Sequence, residues 1–163
     1  IRTMQLRLNQ DTEEWVLKSQ KVVVNQAKIR AAQKAANDAE KIALAEQEFY
    51  QYLQQVFFKT EGARYLIWEE GERYISALRL EPYRDGLLLE ALETMPKHRN
   101  QGHAAKLVNA AIEYAGAKIY SHVSKKNLPS LRTHEKCGFR RILEHAVYAD
   151  GSVMTNHCTL CSK

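Results

Sequence analysis

The segment at residues 99–104, with the sequence RNQGHA, has the residue types of an anion-binding site at the start of a helix. A strand-like apolar run precedes it, and apolar residues at helical spacing follow it. The first turn of a helix has backbone N–H groups without internal partners, at the positive end of the helix dipole. Gly102 leaves room for close approach, and Arg99 adds a charge-assisted donor. The amides from about Gln101 to Ala104 are therefore predicted to bind a phosphate, and a pyrophosphate would fit.

The elements that must position this segment follow from hydrophobic periodicity and from turn and cap residues. Acidic or amide residues followed three positions later by glutamate give both early helices a cap-like start. The predicted elements are, in order, a strand at 3–9, helices at 11–32 and from 37, strands at 65–68, 74–80 and 87–94, a helix at 102–115, a strand at 118–123, a helix at 128–136, and strands at 139–148 and 153–161.

This element order predicts an α/β fold with one mixed, twisted sheet of about seven strands, flanked by about four helices. The helix after residue 102 connects two neighbouring strands, so that pair is expected to be parallel with a right-handed crossover. A ligand site is then expected at the carboxyl ends of those two strands, beside the N-terminus of the helix. The chain of 163 residues is predicted to form a single domain, residues 1–163.

Charge and cysteine usage limit the classes of partner. The net charge of +5 favours an anionic ligand or surface, or serves solubility alone. The sequence has no signal-peptide pattern and no apolar run of membrane-spanning length, so a cytoplasmic protein without a membrane partner is expected. Three cysteines argue against a disulfide framework. The pair Cys158 and Cys161 supplies only two ligands, so no metal is expected.

Two spaced motifs lie on the predicted elements. The first has the form Arg-x-x-Gly-x-Ala and consists of Arg99, Gly102 and Ala104, after a strand and a proline. The second begins at Asn127, continues through a serine and a histidine on the short helix, and ends in the Gly-Phe pair at 138–139. With these motifs the chain resembles the GNAT superfamily of acyl-CoA-dependent N-acetyltransferases, closely over residues 63–148 and elsewhere by element order.

The resemblance implies an acyltransferase that moves an acetyl group from acetyl-CoA to a primary amine. Amine and thioester would bind together, with direct attack on the carbonyl and no metal. The loop amides with Arg99 would hold the pyrophosphate of coenzyme A, and the backbone of the bulged fourth strand would face the pantetheine arm and polarise the thioester. The residues implied in coenzyme binding are Leu92, Thr94, Arg99, Asn100, Gln101, Gly102, His103, Ala104, Asn127 and Ser130. Lys125 and Lys126 are either contacts of the 3′-phosphate or solvated.

The proton donor to the leaving thiolate is where the sequence departs from the family pattern. His134 stands at the position where the family usually has a tyrosine. An imidazole titrates near neutral pH and can donate a proton, so His134 is the predicted catalytic acid. A thiolate is also a fair leaving group without help, and His134 would then be a wall residue. Tyr120 and Tyr148 remain alternative donors.

The acceptor amine must lose a proton before it attacks, because an alkylammonium ion has no lone pair. Glu90 and Glu93 lie on the fourth strand, which lines the site. Three positions apart on a regular strand, they would face opposite sides unless a bulge intervenes. Glu93 lies nearer the expected thioester and is the predicted catalytic base.

Two rival functions remain at this point. A non-catalytic acyl-CoA-binding or sensor module would keep the coenzyme site without turnover. A nucleic-acid partner would use the basic residues of the first predicted helix, but no aromatic stacking residues accompany them, so none is expected. These basic residues are Lys18, Lys21, Lys28, Arg30 and Lys34. The acceptor is expected to be a small-molecule or peptide amine, and the protein a monomer or homodimer.

Overall fold

A computed structural model describes residues 4–8, 39–71 and 73–162. The strands are β1 Met4–Leu8, β2 Arg64–Glu70, β3 Arg73–Tyr83, β4 Gly86–Thr94, β5 Ile119–Ser124, β6 Arg140–Leu143, β7 Ala146–Val147, β8 Val153–Met154 and β9 His157–Cys161. The α-helices are α1 Ala39–Gln55, α2 His103–Ala115 and α3 Leu128–Lys136, with short 3-10 helices at Phe57–Lys59 and Pro96–His98.

The predicted α/β class is confirmed. A seven-stranded mixed sheet has the order β1-β2-β3-β4-β5-β9-β6, and β7 and β8 form a separate two-stranded ribbon. The β4–β5 pair is parallel, as expected for strands joined through α2. The helix predicted at 11–32 and the start predicted at residue 37 lie outside the described residues.

The two last predicted strands are each divided, and this part of the prediction is wrong. β6 pairs with β9, and the register shifts between Arg141 and Leu143. An extra residue at such a bulge bends the strand away from its ladder. The chain then leaves the main sheet, so that Ala146–Val147 pairs with Val153–Met154 as a ribbon and only His157–Cys161 returns to the sheet.

Each face of the main sheet carries its own helix layer. On one face, called here the α2 face, Leu107 and Val108 of α2 pack against Leu89 of β4. On the other, the α1 face, Phe49 and Leu53 of α1 pack with a second apolar cluster of β2 and β3. Alternation along a strand therefore assigns each side chain to one layer or the other.

β4 carries a bulge that changes this alternation. Glu93 pairs with Ala77 and Glu90 with Arg79, with a register shift between them. Ala91 has φ +52, a left-handed conformation that a non-glycine residue rarely adopts. Because two residues of β4 stand where β3 has one, Glu90 and Glu93 oppose residues on the same face of β3. The bulge thus removes the reason to expect the two carboxylates on opposite faces.

β4 and β5 are joined only at their beginnings. Their parallel pairs run from Leu87–Ile119 to Leu89–Ser121, and none follows. Gly86 opens β4 so close to β5 that an added Cβ would lie 2.2 Å from the carbonyl oxygen of Lys118. The strands therefore separate at their carboxyl ends, beside the N-terminus of α2, where the sequence predicts the ligand site.

Candidate functional site

A cavity of about 700 Å³ lies where β4 and β5 separate, between the end of β4, the start of α2 and one side of α3. Its wall contains nine of the ten residues predicted to bind the coenzyme, together with Glu93. The lining residues are Leu92, Glu93, Thr94, Arg99, Asn100, Gly102, His103, Ala104, Ala105, Asn127, Pro129, Ser130, Arg132, Thr133 and Lys136. The exceptions among the predicted residues are Gln101 and His134.

The N-terminus of α2 opens into this cavity. Gly102 caps the helix with φ +81, and no side chain caps the helix there. The first helical bond runs from the amide of Lys106 to the carbonyl of Gly102, and within the described chain no amide from Asn100 to Ala105 donates to a protein group. An added Cβ at Gly102 would meet nothing within 4 Å. These amides at the positive end of the helix suit a phosphate oxygen.

Arg99 is held in the cavity wall by β4. Its Nε donates to the carbonyl of Thr94 at 3.1 Å, and a terminal nitrogen lies 3.6 Å from the Glu93 carboxylate. The Arg99 side chain is still 43% exposed, so part of its guanidinium can bind an anion. Gln101 instead donates its side-chain amide to the carbonyl of Lys97 at 3.3 Å, so only its backbone remains for the predicted role.

Two of the predicted coenzyme residues are bound to neighbours through their side chains. The hydroxyl of Thr94 lies 2.6 Å from that of Ser76 on β3. His103 lies 3.3 Å from Gln101, and burial, followed by the charges of Lys106 and His98, lowers the pKa of His103. The side chain of Thr94 therefore has its partner within the sheet, and His103 contributes a neutral side chain to the cavity wall at neutral pH.

α3 supplies the opposite wall. The side chain of Asn127 caps α3 by accepting the amide of Ser130 at 3.2 Å. The sequence reasoning missed Arg132 and Lys136, two basic residues of this wall. Their signal was available, because residues four apart share one face of a helix. Lys125, weighed above as a phosphate contact, lies outside this wall and 4.0 Å from Glu144.

His134 lies behind the cavity wall with 1% of its surface exposed. Its Nδ1 lies 2.7 Å from the carbonyl oxygen of Ser130 and its Nε2 lies 2.8 Å from the hydroxyl of Ser121. A carbonyl only accepts, so Nδ1 carries a proton. Burial lowers the pKa of His134, which keeps it neutral at neutral pH with Nε2 accepting from Ser121. The nearest cavity-lining hydroxyl is that of Ser130, 3.4 Å from Nδ1.

Glu90, the other carboxylate weighed on β4, has a strongly raised pKa. Burial, followed by the charge of Glu81, raises the pKa of Glu90 to about 7, and Arg79 opposes the shift. The Arg79 guanidinium lies 4.0 Å from Glu90 and 5.2 Å from the ring centroid of Phe49 on α1. Glu90 lies on the α1 face and is outside the cavity wall.

Tyr120 and Tyr148, the alternative proton donors, also lie outside the cavity wall. The hydroxyl of Tyr120 donates to the Asp85 carboxylate, and this bond raises the pKa of Tyr120 to about 12. The ring of Tyr148 lies 4.8 Å from that of His122. Both rings belong to a cluster on the α1 face, whereas the cavity opens beside α2 and α3.

None of the helices described is both long and apolar enough to cross a bilayer. The described histidine, cysteine and acidic side chains form no group of three or more that could hold a metal ion.

Comparison with known proteins assigns this geometry to a family. The model of the acetyltransferase (GNAT) family matches residues 28–139. None of the curated proteins compared with the chain matches it.

Solved structures share the fold at low sequence identity. Spermidine N-acetyltransferase from Vibrio cholerae, in complex with CoA and spermine, is 20% identical over 97% of this chain and 94% of that chain, with a TM-score of 0.65. The PaiA N-acetyltransferase from Thermoplasma acidophilum, in complex with coenzyme A, is 13% identical over 99% of each chain, with a TM-score of 0.62. A GNAT-family acetyltransferase from Bordetella pertussis, described as putative, is 18% identical over 86% of this chain and 91% of that chain, with a TM-score of 0.56.

Proposed function

The chain belongs to the GNAT acetyltransferase family, and we propose that it transfers an acetyl group from acetyl-CoA to a primary amine of a small molecule or peptide. It is an acyltransferase. Residues 1–163 would form one such domain, in the cytoplasm, without a nucleic-acid or membrane partner and as a monomer or homodimer. Relatives that act on spermidine support a small amine as acceptor.

The observation that carries the proposal is the cavity at the N-terminus of α2. Unpaired amides around Gly102 would bind the diphosphate of coenzyme A, with Arg99 beside them. Arg132 and Lys136 on the facing wall would attract its remaining phosphate. The volume of about 700 Å³ suits an extended ligand that also follows β4 toward Leu92 and Thr94.

Catalysis would depend on positioning and on polarising the thioester carbonyl. On its β5 side β4 pairs with no described strand beyond Leu89, so the edge between Leu92 and Thr94 would face the pantetheine arm and the thioester oxygen. Holding amine and thioester together replaces a bimolecular encounter by a reaction within one complex.

Proton donation to the leaving thiolate is proposed for His134, acting through Ser130. The donor would be the imidazolium form of His134, which would pass its Nδ1 proton to the Ser130 hydroxyl 3.4 Å away in the cavity wall and return to the neutral ring. The sequence predicts Glu93 as the base for the amine. Its carboxylate already neutralises Arg99, so a proton on Glu93 would release that guanidinium.

The test combines coenzyme binding with turnover. Calorimetry with coenzyme A and a thiol-release assay with acetyl-CoA would use spermidine, butylamine, benzylamine and a lysine peptide. We expect binding and thiol release with at least one amine. R132Q and K136Q are each expected to weaken coenzyme binding about threefold to tenfold, because each removes one charge facing the phosphates. K125Q is the matched control and should bind normally.

The same experiment separates the rival function. Tight coenzyme binding with no thiol release from any amine would favour a non-catalytic acyl-CoA-binding module. Failure to bind coenzyme A would overturn the proposal altogether.

A further inference from the structure

Two polar residues, Glu90 and His122, lie on the α1 face of the sheet at the point where β4 and β5 separate. Leu89 and Ser121 form the last pair between the two strands, and Glu90 and His122 are the next residue on each. Leu89 packs in the α2-face core and Ser121 meets His134 of α3. By alternation, Glu90 and His122 both project from the α1 face, on either side of the gap.

His122 has unsatisfied hydrogen-bonding capacity. Both of its ring nitrogens are buried, and neither has a hydrogen-bond partner among the described residues. The ring is held between two tyrosines, with centroids 5.4 Å from Tyr83 and 4.8 Å from Tyr148, both near edge-on. A neutral imidazole has one donor and one acceptor, and burying both unpaired is costly unless a ligand binds them.

Burial and the neighbouring charges keep the His122 ring unprotonated, which is the form that can accept a proton. Burial lowers the pKa of His122, and His157 on β9 and Arg84 in the β3–β4 turn lower it further. The ring therefore stays neutral at neutral pH. Burial and then the charge of Glu90 raise the pKa of Tyr148, so the same tyrosine that contacts His122 also lies within the field of Glu90.

We propose that His122 accepts the proton of the acceptor amine at the gap between β4 and β5. The cavity is lined by Leu92 and Glu93 of β4, two and three residues after Glu90, so an amine at this gap would lie close to the thioester end of the coenzyme. This inference rests on the proposed acetyl transfer and adds to it the base.

The reaction balances with His122 as base. One N–H bond of the ammonium ion breaks and its proton moves to a ring nitrogen, forming an imidazolium ion. The freed lone pair forms the C–N bond to the thioester carbonyl, the C–S bond breaks, and its electron pair leaves on sulfur. The thiolate takes its proton from His134 through Ser130. The second N–H proton of the new amide and the proton on His122 pass to water, from which His134 regains its proton.

His122 suits this role better than Glu93 does. Glu93 is engaged with Arg99 at 3.6 Å, so taking up a proton would weaken the coenzyme wall at the moment of reaction. His122 has no such partner to lose among the described residues. The variants of the two residues therefore have different expected phenotypes.

The decisive measurement is the pH profile of kcat/KM for the amine of the panel that the wild type acetylates fastest. H122N is expected to lower kcat/KM about 100-fold at neutral pH and to abolish the decrease of kcat/KM at acidic pH, with unchanged coenzyme A affinity. H157N, which removes the neighbouring histidine, should keep the wild-type kcat/KM and its decrease at acidic pH. E93Q should weaken coenzyme binding and keep that decrease. An active H122N enzyme with a wild-type profile would overturn the inference while leaving acetyl transfer intact.

A second measurement avoids substitution of the ring. In the wild type with coenzyme A bound, the imidazole resonances of His122 should shift when the same amine is added, and those of His157 should not. The absence of any His122 shift at saturating amine would contradict the inference. Loss of thiol release in the wild type itself would instead count against the proposed function.

Discussion

Gly102 and Gly116 stand at the two ends of α2 and allow a matched comparison. Both are left-handed, with φ +81 and φ +57, and an added Cβ at either meets nothing within 4 Å. Alanine at either position should therefore cost a similar backbone strain, about 1 kcal/mol. Only Gly102 lies in the cavity wall. We expect G102A alone to weaken coenzyme A binding, by about tenfold, because the loop amides lose their close approach to the diphosphate.

Calorimetry and thermal unfolding of the two variants check this expectation. Similar melting temperatures with a selective loss of affinity in G102A would support a diphosphate at the start of α2. Equal coenzyme affinity in G102A and G116A would mean that the diphosphate binds elsewhere.

His134 gives a second prediction at the residue scale. H134A removes both the proton on Nδ1 and the contact with Ser121, whereas S121A removes only the contact. If His134 protonates the leaving thiolate through Ser130, kcat should fall about 100-fold in H134A and about threefold or less in S121A. Stopped-flow thiol release measures both. A similar loss in the two variants would indicate that His134 only holds α3 against β5.

At the scale of elements, local signals were sufficient for the helices that frame the cavity. α2 was expected at 102–115 and is His103–Ala115, and α3 was expected at 128–136 and is Leu128–Lys136. Glycine, asparagine and proline at these termini act through their own backbone, so the sequence records them directly. Most of the cavity wall was predictable for the same reason, since it is built from those termini.

Non-local features were not predictable. The β4 bulge at Ala91 lies in a run of leucine, glutamate and alanine without a glycine or turn residue, so its effect on Glu90 had no sequence signal. In the sequence His122 cannot be distinguished from other polar strand residues, because only the fold places it beside β4 and against the ring of Tyr148. The break between β6 and β7 likewise depends on pairing with β9, far along the chain.

Gly86 yields a prediction for the β4–β5 junction. A Cβ there would lie 2.2 Å from the Lys118 carbonyl oxygen, which also accepts the amide of Leu87 at 2.9 Å. G86A must push the strands apart where they are still paired, so we expect a loss of about 2–3 kcal/mol in the free energy of unfolding. G151A, in the open β7–β8 turn, carries backbone strain without a clash and should lose less. Urea unfolding compares them, and equal losses would show that β5 can move aside.

At the scale of the whole molecule, stability should depend on pH through groups with opposite shifts. Burial lowers the pKa of His122 and His134, so the unfolded chain binds their protons more readily and stability falls as pH drops through about 6.5. Glu90 acts in the other direction. Burial and Glu81 raise the pKa of Glu90 from 4.5 to about 7, so its favourable contribution is present below pH 4.5 and is lost as pH rises through 7.

The difference between the wild type and E90Q isolates the Glu90 contribution, because the histidines are common to both. We expect E90Q to gain stability relative to the wild type between about pH 5 and about pH 8, by on the order of 1–2 kcal/mol after allowance for the partial exposure of the side chain. E144Q, which alters an exposed carboxylate, is the control and should run parallel to the wild type. Urea unfolding at several pH values measures the difference. If the free energies of unfolding of E90Q and the wild type ran parallel with pH, Glu90 would titrate as a solvated carboxylate. The α1 face would then carry an ordinary negative charge near His122 rather than a proton shared with Glu81.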